Sequence, residues 1–265
     1  MAKYWRTIWV IGASTGIGAA LVEKLAKMAS DASRNIIASA RSKDRLEELA
    51  AGRKNIHAIA LDVTDHATID EALAAIEAHF GLPNLVILAA AIYSPMAVDR
   101  FSADMVEEHM RVNYLGVTNC LAPLLAKMRM RGSGEIAVIA SLAGYRGLPG
   151  TAAYGPSKAA LINLCEALHA ELAGSGVTVR LINPGFVKTR LTEKNNFRMP
   201  HIKTTEEAAD YIYNDLIKND AFEIAFPFPL VWRLKLARIL PYKIYFRVLH
   251  KLNRTISGIN NDDGL

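Results

Sequence analysis

Tyr154 and Lys158 are the two residues whose types and spacing most directly suggest chemistry. On a helix, residues four positions apart project from one face, so the phenol and the ammonium can approach the same point. A free tyrosine, with a pKa of about 10, is a weak acid and base at neutral pH, and a neighbouring cation favours its phenolate. The pair therefore predicts a lowered tyrosine pKa and general acid–base catalysis, although such a pair by itself is more often a solvated helix face. Pro156 places the start of the helix near Tyr154, because proline is tolerated in a first turn.

Two further polar residues fall where they could assist this pair. Ser141 directly follows a predicted strand, at the edge where open α/β sheets bind ligands, and its hydroxyl could orient a carbonyl and steady an oxyanion. The alternative is a serine that only begins a loop. Asn113 interrupts an amphipathic helical stretch, so its amide either caps a broken helix or holds a water in a proton relay to Lys158.

A glycine-rich turn lies between the first predicted strand and the first predicted helix. Its glycines follow the pattern GxxxGxG, which differs from the common GxGxxG. Backbone N–H groups and the helix dipole at such a junction favour a phosphate, and glycine allows unusual dihedrals and close approach of a pyrophosphate. A tight strand-to-helix turn without a ligand could use the same residues. The candidate phosphate-binding residues are Gly12, Ser14, Thr15, Gly16, Ile17 and Gly18.

The end of the second predicted strand carries Arg41 where an NAD site would place an acid for the ribose 2′-hydroxyl. Ala40 offers no acceptor, whereas a guanidinium can pair bidentately with a 2′-phosphate, and Ser42 could add a donor. We therefore expect NADP(H) as the cofactor, unless Arg41 only solvates the strand end. After the third strand, Asp62 and Val63 could hold the adenine edge, or Asp62 could cap the next helix.

Apolar runs of strand length alternate with helical patterns up to about residue 225. This alternation indicates a parallel α/β sheet covered by helices on both faces. The predicted strands are Thr7–Ile11, Asn35–Ser39, Ile56–Leu61, Leu85–Ala89, Glu135–Ala140, Thr178–Ile182 and, as a short seventh, Phe222–Ala225. The predicted helices are Ile17–Ala29, Lys43–Ala51, His66–Phe80, Ser102–Arg131 with breaks at Asn113 and Pro123, and Ser157–Leu172.

Taken in order, these motifs and Asn183-Pro184-Gly185 resemble the short-chain dehydrogenase/reductase family over about residues 5 to 225. The resemblance implies a Rossmann doubly wound seven-stranded parallel sheet, hydride transfer at a nicotinamide, and a homodimer or homotetramer. It implies that Tyr154 is the acid–base, that Lys158 contacts the nicotinamide ribose, that Ser141 orients the carbonyl and that Asn113 supports the relay. The further cofactor contacts that it implies are Ala89, Ala90, Pro184, Gly185, Val187 and Thr189, the last two at the carboxamide.

The chain departs from the family pattern at two points. Leu88-Ala89-Ala90-Ala91 stands where the family usually carries Asn-Asn-Ala-Gly, and Ile11 stands where it usually carries threonine. The leading hypothesis is an NADP(H)-dependent oxidoreductase that interconverts a carbonyl and an alcohol on an apolar or lipid-like small molecule. The departures favour the second hypothesis, a non-catalytic NADP(H)-binding sensor or scaffold.

The composition excludes several other classes. The 265 residues are 51% hydrophobic, yet no run approaches the roughly 20 apolar residues of a spanning helix. Residues 1–9 lack a signal-peptide core, so we expect a cytoplasmic protein. Cys120 and Cys165 lie in apolar helical patterns, which predicts buried free thiols and no metal site. We expect one domain over residues 1–265, with a core at 1–228 and a C-terminal lid or interface segment at 229–265.

The net charge of +5 comes from a C-terminal tail. Between Leu230 and Ile256 the chain carries seven Lys and Arg residues and no acid, so the charge does not indicate a nucleic-acid partner. Cations and bulky apolar residues, Trp232, Tyr242, Tyr245 and Phe246 among them, recur at helical spacing, and Pro227, Pro229 and Pro241 should divide the tail into short helices. Such helices could contact a membrane interface, cover the substrate, mediate oligomer contacts or pack on their own core.

Overall fold

The computed structural model describes residues 5–28, 34–197 and 199–257, with side chains up to residue 250. Two parts of the sequence predictions lie outside these residues: the end of the first helix at Ala29, and residues 258–265 of the predicted C-terminal segment, together with the side chains of residues 251–257.

Seven parallel strands form one sheet in the order β3-β2-β1-β4-β5-β6-β7, which confirms the predicted seven-stranded architecture. The central strands β1 and β4 are buried at every residue, because helices cover both faces, whereas the edge strand β3 is largely half-buried. The strands are β1 Thr7–Ile11, β2 Asn35–Ala40, β3 Ile56–Ala60, β4 Leu85–Leu88, β5 Gly134–Ile139, β6 Val177–Pro184 and β7 Glu223–Phe226.

The helices pack in two layers that bury separate apolar clusters on the two faces of the sheet. Helices α1, α2 and α7 cover one face, with Leu21, Leu46 and Ile212 in its core. Helices α3, α5 and α6 cover the other, with Leu73, Leu121 and, on α6, the cysteine Cys165. The helices are α1 Gly16–Lys27, α2 Lys43–Ala50, α3 His66–Phe80, α4 Ala103–Met110, α5 Gly116–Arg131, α6 Tyr154–Glu171, α7 Thr205–Lys218, α8 Phe228–Ile239 and α9 Tyr242–Ser257.

The long helical stretch before β5 is interrupted once and not twice. A π-helical turn over Arg111–Leu115 separates α4 from α5, which confirms the predicted break at Asn113. The predicted break at Pro123 is wrong, because α5 runs through this residue. Its neighbours Leu121 and Leu124 are buried, and that packing outweighs the backbone hydrogen bond that proline removes.

The tail forms two helices, as its prolines predicted. Pro227 precedes α8, Pro229 lies in the first turn of α8, and Pro241 separates α8 from α9. Val231 and Tyr245 are buried, so each helix packs on the rest of the chain through one side. No helix in the described residues combines the length and the apolar character needed to cross a bilayer.

Candidate functional site

A cleft of about 400 Å³ opens at the carboxyl edge of the sheet. Parallel strands end there together, so loops that are far apart in sequence meet around it. Every residue predicted to contact a cofactor lines this cleft: Gly12, Ser14, Thr15, Gly16, Ile17, Gly18, Arg41, Asp62, Val63, Ala89, Ala90, Tyr154, Lys158, Pro184, Gly185, Val187 and Thr189. Ser141 also lines it, so three of the four predicted catalytic residues share one cavity with the glycine-rich turn.

The glycine-rich turn is packed too closely for side chains at two positions. Gly12 has φ +94°, and a Cβ there would lie 2.4 Å from the Ala90 nitrogen. A Cβ at Gly18 would lie 2.2 Å from the Gly12 carbonyl oxygen, because α1 starts directly against the turn. Glycine at these positions lets the first turn of α1 face the cleft with its backbone N–H groups exposed to a ligand, which is the arrangement that favours a phosphate.

Two arginines flank the end of the cleft that β2 forms. Arg41 follows β2 directly, Arg45 lies in the first turn of α2, and both line the cleft with exposed side chains. Arg45 was not predicted, although its position four residues after Arg41 at the start of a helix could have indicated it. Two guanidinium groups at this end favour a doubly charged anion over a hydroxyl.

Asp62 lies on the same side of the cleft and is held as a carboxylate. Its Oδ1 accepts hydrogen bonds from the Thr64 nitrogen at 2.9 Å and the Thr64 hydroxyl at 2.8 Å. Burial alone would raise the pKa of Asp62, but these two bonds and the charges of Arg41 and Arg111 lower it below its ordinary value. Asp65, and not Asp62, is the N-cap of α3, so the alternative capping role of Asp62 is wrong.

Ser141, Tyr154 and Lys158 meet where β5 ends and α6 begins. Tyr154 is the first residue of α6, which agrees with the start inferred from Pro156 and corrects the predicted helix bound at Ser157. Lys158 is 1% exposed, and its Nζ donates a hydrogen bond of 2.9 Å to the Ile139 carbonyl oxygen at the end of β5. The same Nζ lies 5.7 Å from the centre of the Tyr154 ring. The phenol, the serine hydroxyl and the amine therefore face one point of the cleft.

The pKa values of this pair differ from the sequence prediction. Burial raises the pKa of Tyr154 to about 12, a hydrogen bond with Ser141 opposes this rise, and the nearby Tyr93 adds to it. Burial lowers the pKa of Lys158 to about 7, because a dry site disfavours the ammonium. The predicted lowering of the tyrosine pKa is thus wrong for the protein's own groups, since desolvation is the largest influence on the phenol and raises its pKa. Near neutral pH the site holds a protonated phenol beside a lysine that readily gains or loses its proton.

Asn113 lies behind the cleft and is completely buried. Its Oδ1 accepts a hydrogen bond of 2.7 Å from the Ile92 nitrogen, and its Nδ2 donates to the Ile92 oxygen at 3.0 Å and the Ser157 hydroxyl at 3.0 Å. The proposed role as a helix cap is therefore wrong. The amide instead joins the segment after β4 to Ser157 in the first turn of α6, and Ser157 directly precedes Lys158 in the sequence.

The sequence reasoning missed the residues that face Tyr154 from the opposite side. The Tyr93 ring meets the Tyr154 ring edge-on at 5.0 Å between centres. The Tyr93 hydroxyl donates a hydrogen bond of 2.6 Å to Asn195 Oδ1, and Lys194 Nζ donates one of 2.8 Å to the Tyr93 carbonyl oxygen. These contacts join the loop after β4 to the loop after β6. The two residues that each of these hydrogen bonds joins are about 100 positions apart in the sequence, so no local sequence pattern could have indicated the contacts.

The two cysteines and the metal-ligating residue types are the other groups that could carry chemistry. Cys120 and Cys165 are free and buried, as predicted, and burial raises the pKa of each thiol to about 12. Among the residues that the structure describes, no three His, Cys, Asp or Glu side chains are grouped so that they could hold a metal ion.

Known proteins resemble the chain along most of its length. The short chain dehydrogenase family matches residues 6–199. An uncharacterized oxidoreductase of Myxococcus xanthus (strain DK1622) is 33% identical over 252 residues, which are 94% of this chain and 98% of the relative. The 3-oxoacyl-(acyl-carrier-protein) reductase FabG of Salmonella typhimurium (strain LT2) is 31% identical over a stretch that covers 69% of this chain and 74% of the FabG chain. A short chain dehydrogenase from Burkholderia cenocepacia J2315, solved in complex with NADP, has the same fold, with a TM-score of 0.79, 22% identity and coverage of 92% and 96%.

Proposed function

The chain belongs to the short-chain dehydrogenase family of oxidoreductases, and from this premise we propose that it interconverts a carbonyl and an alcohol with NADP(H). One observation carries the proposal: a single cleft is lined both by the glycine-rich turn and by Ser141, Tyr154 and Lys158. A nucleotide held along the turn and an apolar substrate at Tyr154 would then lie in contact.

The residues of the cleft fit NADP(H). The turn from Gly12 to Gly18 presents backbone where a Cβ could not be placed, which suits a pyrophosphate. Arg41 and Arg45 present two cations at the end of β2, where a 2′-phosphate would need them. Asp62, held ionised by Thr64, offers an acceptor that suits an adenine amino group. Val187 and Thr189 would lie at the carboxamide.

When bound, the reduced cofactor supplies the hydride that a carbonyl carbon accepts. Ser141 would donate a hydrogen bond to the carbonyl oxygen, which polarises the carbonyl and fixes its orientation. Tyr154 would donate the phenolic proton to that oxygen as its negative charge develops. Because the protein's own groups keep Tyr154 protonated at neutral pH, the acid needed for reduction is present at the start of the reaction.

Lys158 would act on the phenol and on the ribose. Its ammonium form lies close enough to the ring to stabilise the phenolate that remains after proton transfer. A pKa of about 7 would allow Lys158 to pass a proton on without a large barrier at neutral pH. Asn113 would support this relay as a positioning residue, since it fixes Ser157, the residue before Lys158.

The apolar part of the cleft lining supports the substrate class. Ile92, Val112 and Leu191 line the cleft and the Tyr93 ring meets the Tyr154 ring, which suits an apolar ketone or aldehyde. The similarity to a 3-oxoacyl reductase supports carbonyl reduction as the reaction, and it does not select an acyl carrier as the substrate.

Steady-state turnover with a panel of ketones and aldehydes, followed at the nicotinamide absorbance with NADPH and NADH, tests the proposal. We expect turnover with NADPH, and we expect Tyr154→Phe to reduce kcat by at least about a thousandfold while NADPH still binds. Tyr211→Phe is the matched control, because Tyr211 is exposed and lies outside the cleft. Turnover by Tyr154→Phe at the wild-type rate would refute the role of the phenol. NADPH binding without turnover of any substrate would favour the non-catalytic alternative.

A further inference from the structure

The outer side of α8 carries an apolar stripe that the described residues leave exposed. Its members are Phe228, Trp232, Leu236 and Ile239. At 3.6 residues per turn these four side chains fall within about 80° of arc, so they form one continuous row along the helix. Tyr242 and Phe246 continue the exposed apolar surface at the start of α9, where their rings stack at 5.8 Å between centres.

Helices α8 and α9 carry cations beside this stripe and no acid of their own. Arg233 on α8 and Lys243 and Arg247 on α9 are exposed. The sequence contains no Asp or Glu from residue 224 to residue 261. Helices α8 and α9 therefore present a row of apolar and aromatic side chains, and every Lys, Arg, Asp or Glu residue within these two helices is a Lys or an Arg.

The tail is held firmly on the rest of the chain. Arg146 donates hydrogen bonds to the carbonyl oxygens of Ala237 and, at 2.8 Å, Leu240, and so caps the C-terminal end of α8. Its guanidinium also lies over the Tyr245 ring, 3.9 Å from the centre. Lys235 pairs with Glu223 of β7 at 2.5 Å. The exposed stripe is thus the outer face of an anchored helix pair.

We propose that this face of α8 and α9 docks on an anionic lipid surface. The pattern of apolar and aromatic side chains beside Lys and Arg matches an interfacial helix, whose apolar residues enter the acyl boundary while its cations contact anionic headgroups. A second copy of the chain fits this face less well, because a twofold contact would bring the same cations against one another. The proposal concerns binding and is independent of whether the cleft turns over a carbonyl.

Trp232 gives a direct optical readout of docking. It is 62% exposed, whereas Trp5 is 4% exposed and Trp9 is 0% exposed. The full-length protein is mixed with vesicles of phosphatidylcholine alone, or of phosphatidylcholine with about a third phosphatidylserine, at low salt. We expect co-sedimentation and a blue shift of the tryptophan emission with the anionic vesicles, and loss of both at about 1 M salt.

Two pairs of substitutions test the two halves of the surface separately. The double variant Phe228→Ser and Ile239→Ser should bind anionic vesicles about tenfold or more weakly. The double variant Lys243→Gln and Arg247→Gln should lose about fivefold per charge. Met130→Ser and Lys54→Gln are the matched controls, because both side chains are exposed outside the tail, and neither should change binding. Point variants are preferable to a truncation, which would also remove the buried Val231 and Tyr245.

Each outcome supports or overturns the proposal. Anionic binding that both double variants weaken and both controls leave unchanged supports it. No sedimentation with phosphatidylserine vesicles, or equal binding to both vesicle types, overturns it. A change from dimer to monomer on substitution of Phe228 and Ile239, without lipid binding by the wild type, shows that the face is a contact between copies and also overturns it.

Discussion

Replacing Lys158 with methionine removes a charge that the fold holds in a dry site. The side chain is 1% exposed, and burial lowers its pKa to about 7, whereas an unfolded chain gives lysine a pKa of about 10.4. Between these two values the unfolded state binds more protons than the folded state, so wild-type stability rises with pH across this window. The energetic penalty of the lysine is about 5 kcal/mol at pH 6 and about 2 kcal/mol at pH 9. Methionine has a similar length and carries no such penalty.

Urea unfolding of the wild type and Lys158→Met at pH 6, 7.5 and 9 measures this difference. Relative to the variant, the free energy of unfolding of the wild type should rise by about 3 kcal/mol between pH 6 and pH 9. The hydrogen bond to Ile139 that methionine loses is worth about 1–3 kcal/mol at every pH, so it shifts one curve without changing its slope. Lys54→Met, at an exposed position, should follow the wild type. Parallel curves for the wild type and Lys158→Met would refute the assignment of a buried lysine with a lowered pKa.

Three further substitutions test the remaining parts of the site. Arg41→Ala should weaken NADPH binding about 10- to 100-fold and leave NADH binding nearly unchanged in titrations, and an equal loss for both would contradict its assignment to a 2′-phosphate. Gly12→Ala should lower the free energy of unfolding by about 3 kcal/mol or more, because its Cβ would lie 2.4 Å from the Ala90 nitrogen. Gly52→Ala is its control, since φ is +71° there but no atom lies within 4 Å, and a cost of about 1 kcal/mol is expected. Tyr93→Phe, which loses the bond to Asn195, should raise KM about fivefold with kcat nearly unchanged, and an unchanged KM would argue against a role in substrate positioning.

Local sequence patterns predicted the elements whose signals are local. The strand Thr7–Ile11 and the helix His66–Phe80 were located to the residue, because an uninterrupted apolar run and an Asp65 cap mark their limits. Helix α7 was not predicted, although Thr204 and Glu207 form a capping box at its start. The predicted strands that differ from the structure do so by one or two residues at their ends, where side-chain patterns carry the least information.

The direction of the Tyr154 pKa shift could not be predicted from the spacing of residues in the sequence. The spacing of four residues between Tyr154 and Lys158 predicted that the two side chains lie close together on one helix, and both residues do lie in α6. The sign of the tyrosine shift depends on how much water the surrounding loops exclude, which is set by distant segments such as the one that carries Tyr93. The role of Asn113 was hidden for the same reason, because its partners lie 21 and 44 residues away.

The altered segment after β4 bears most directly on the choice between an enzyme and a non-catalytic sensor. Leu88 and Ala89 stand there in place of two asparagines, yet the backbone of the segment is held by groups outside it. The Ala89 nitrogen donates a hydrogen bond of 2.7 Å to the Ile11 oxygen, and both backbone polar groups of Ile92 pair with Asn113. The segment therefore keeps its position beside the Gly12 turn without the usual side-chain bonds. Since Asn113 also fixes Ser157, the same amide ties this segment to the turn that carries Tyr154, and the departure from the family pattern leaves the proposed acid–base pair supported.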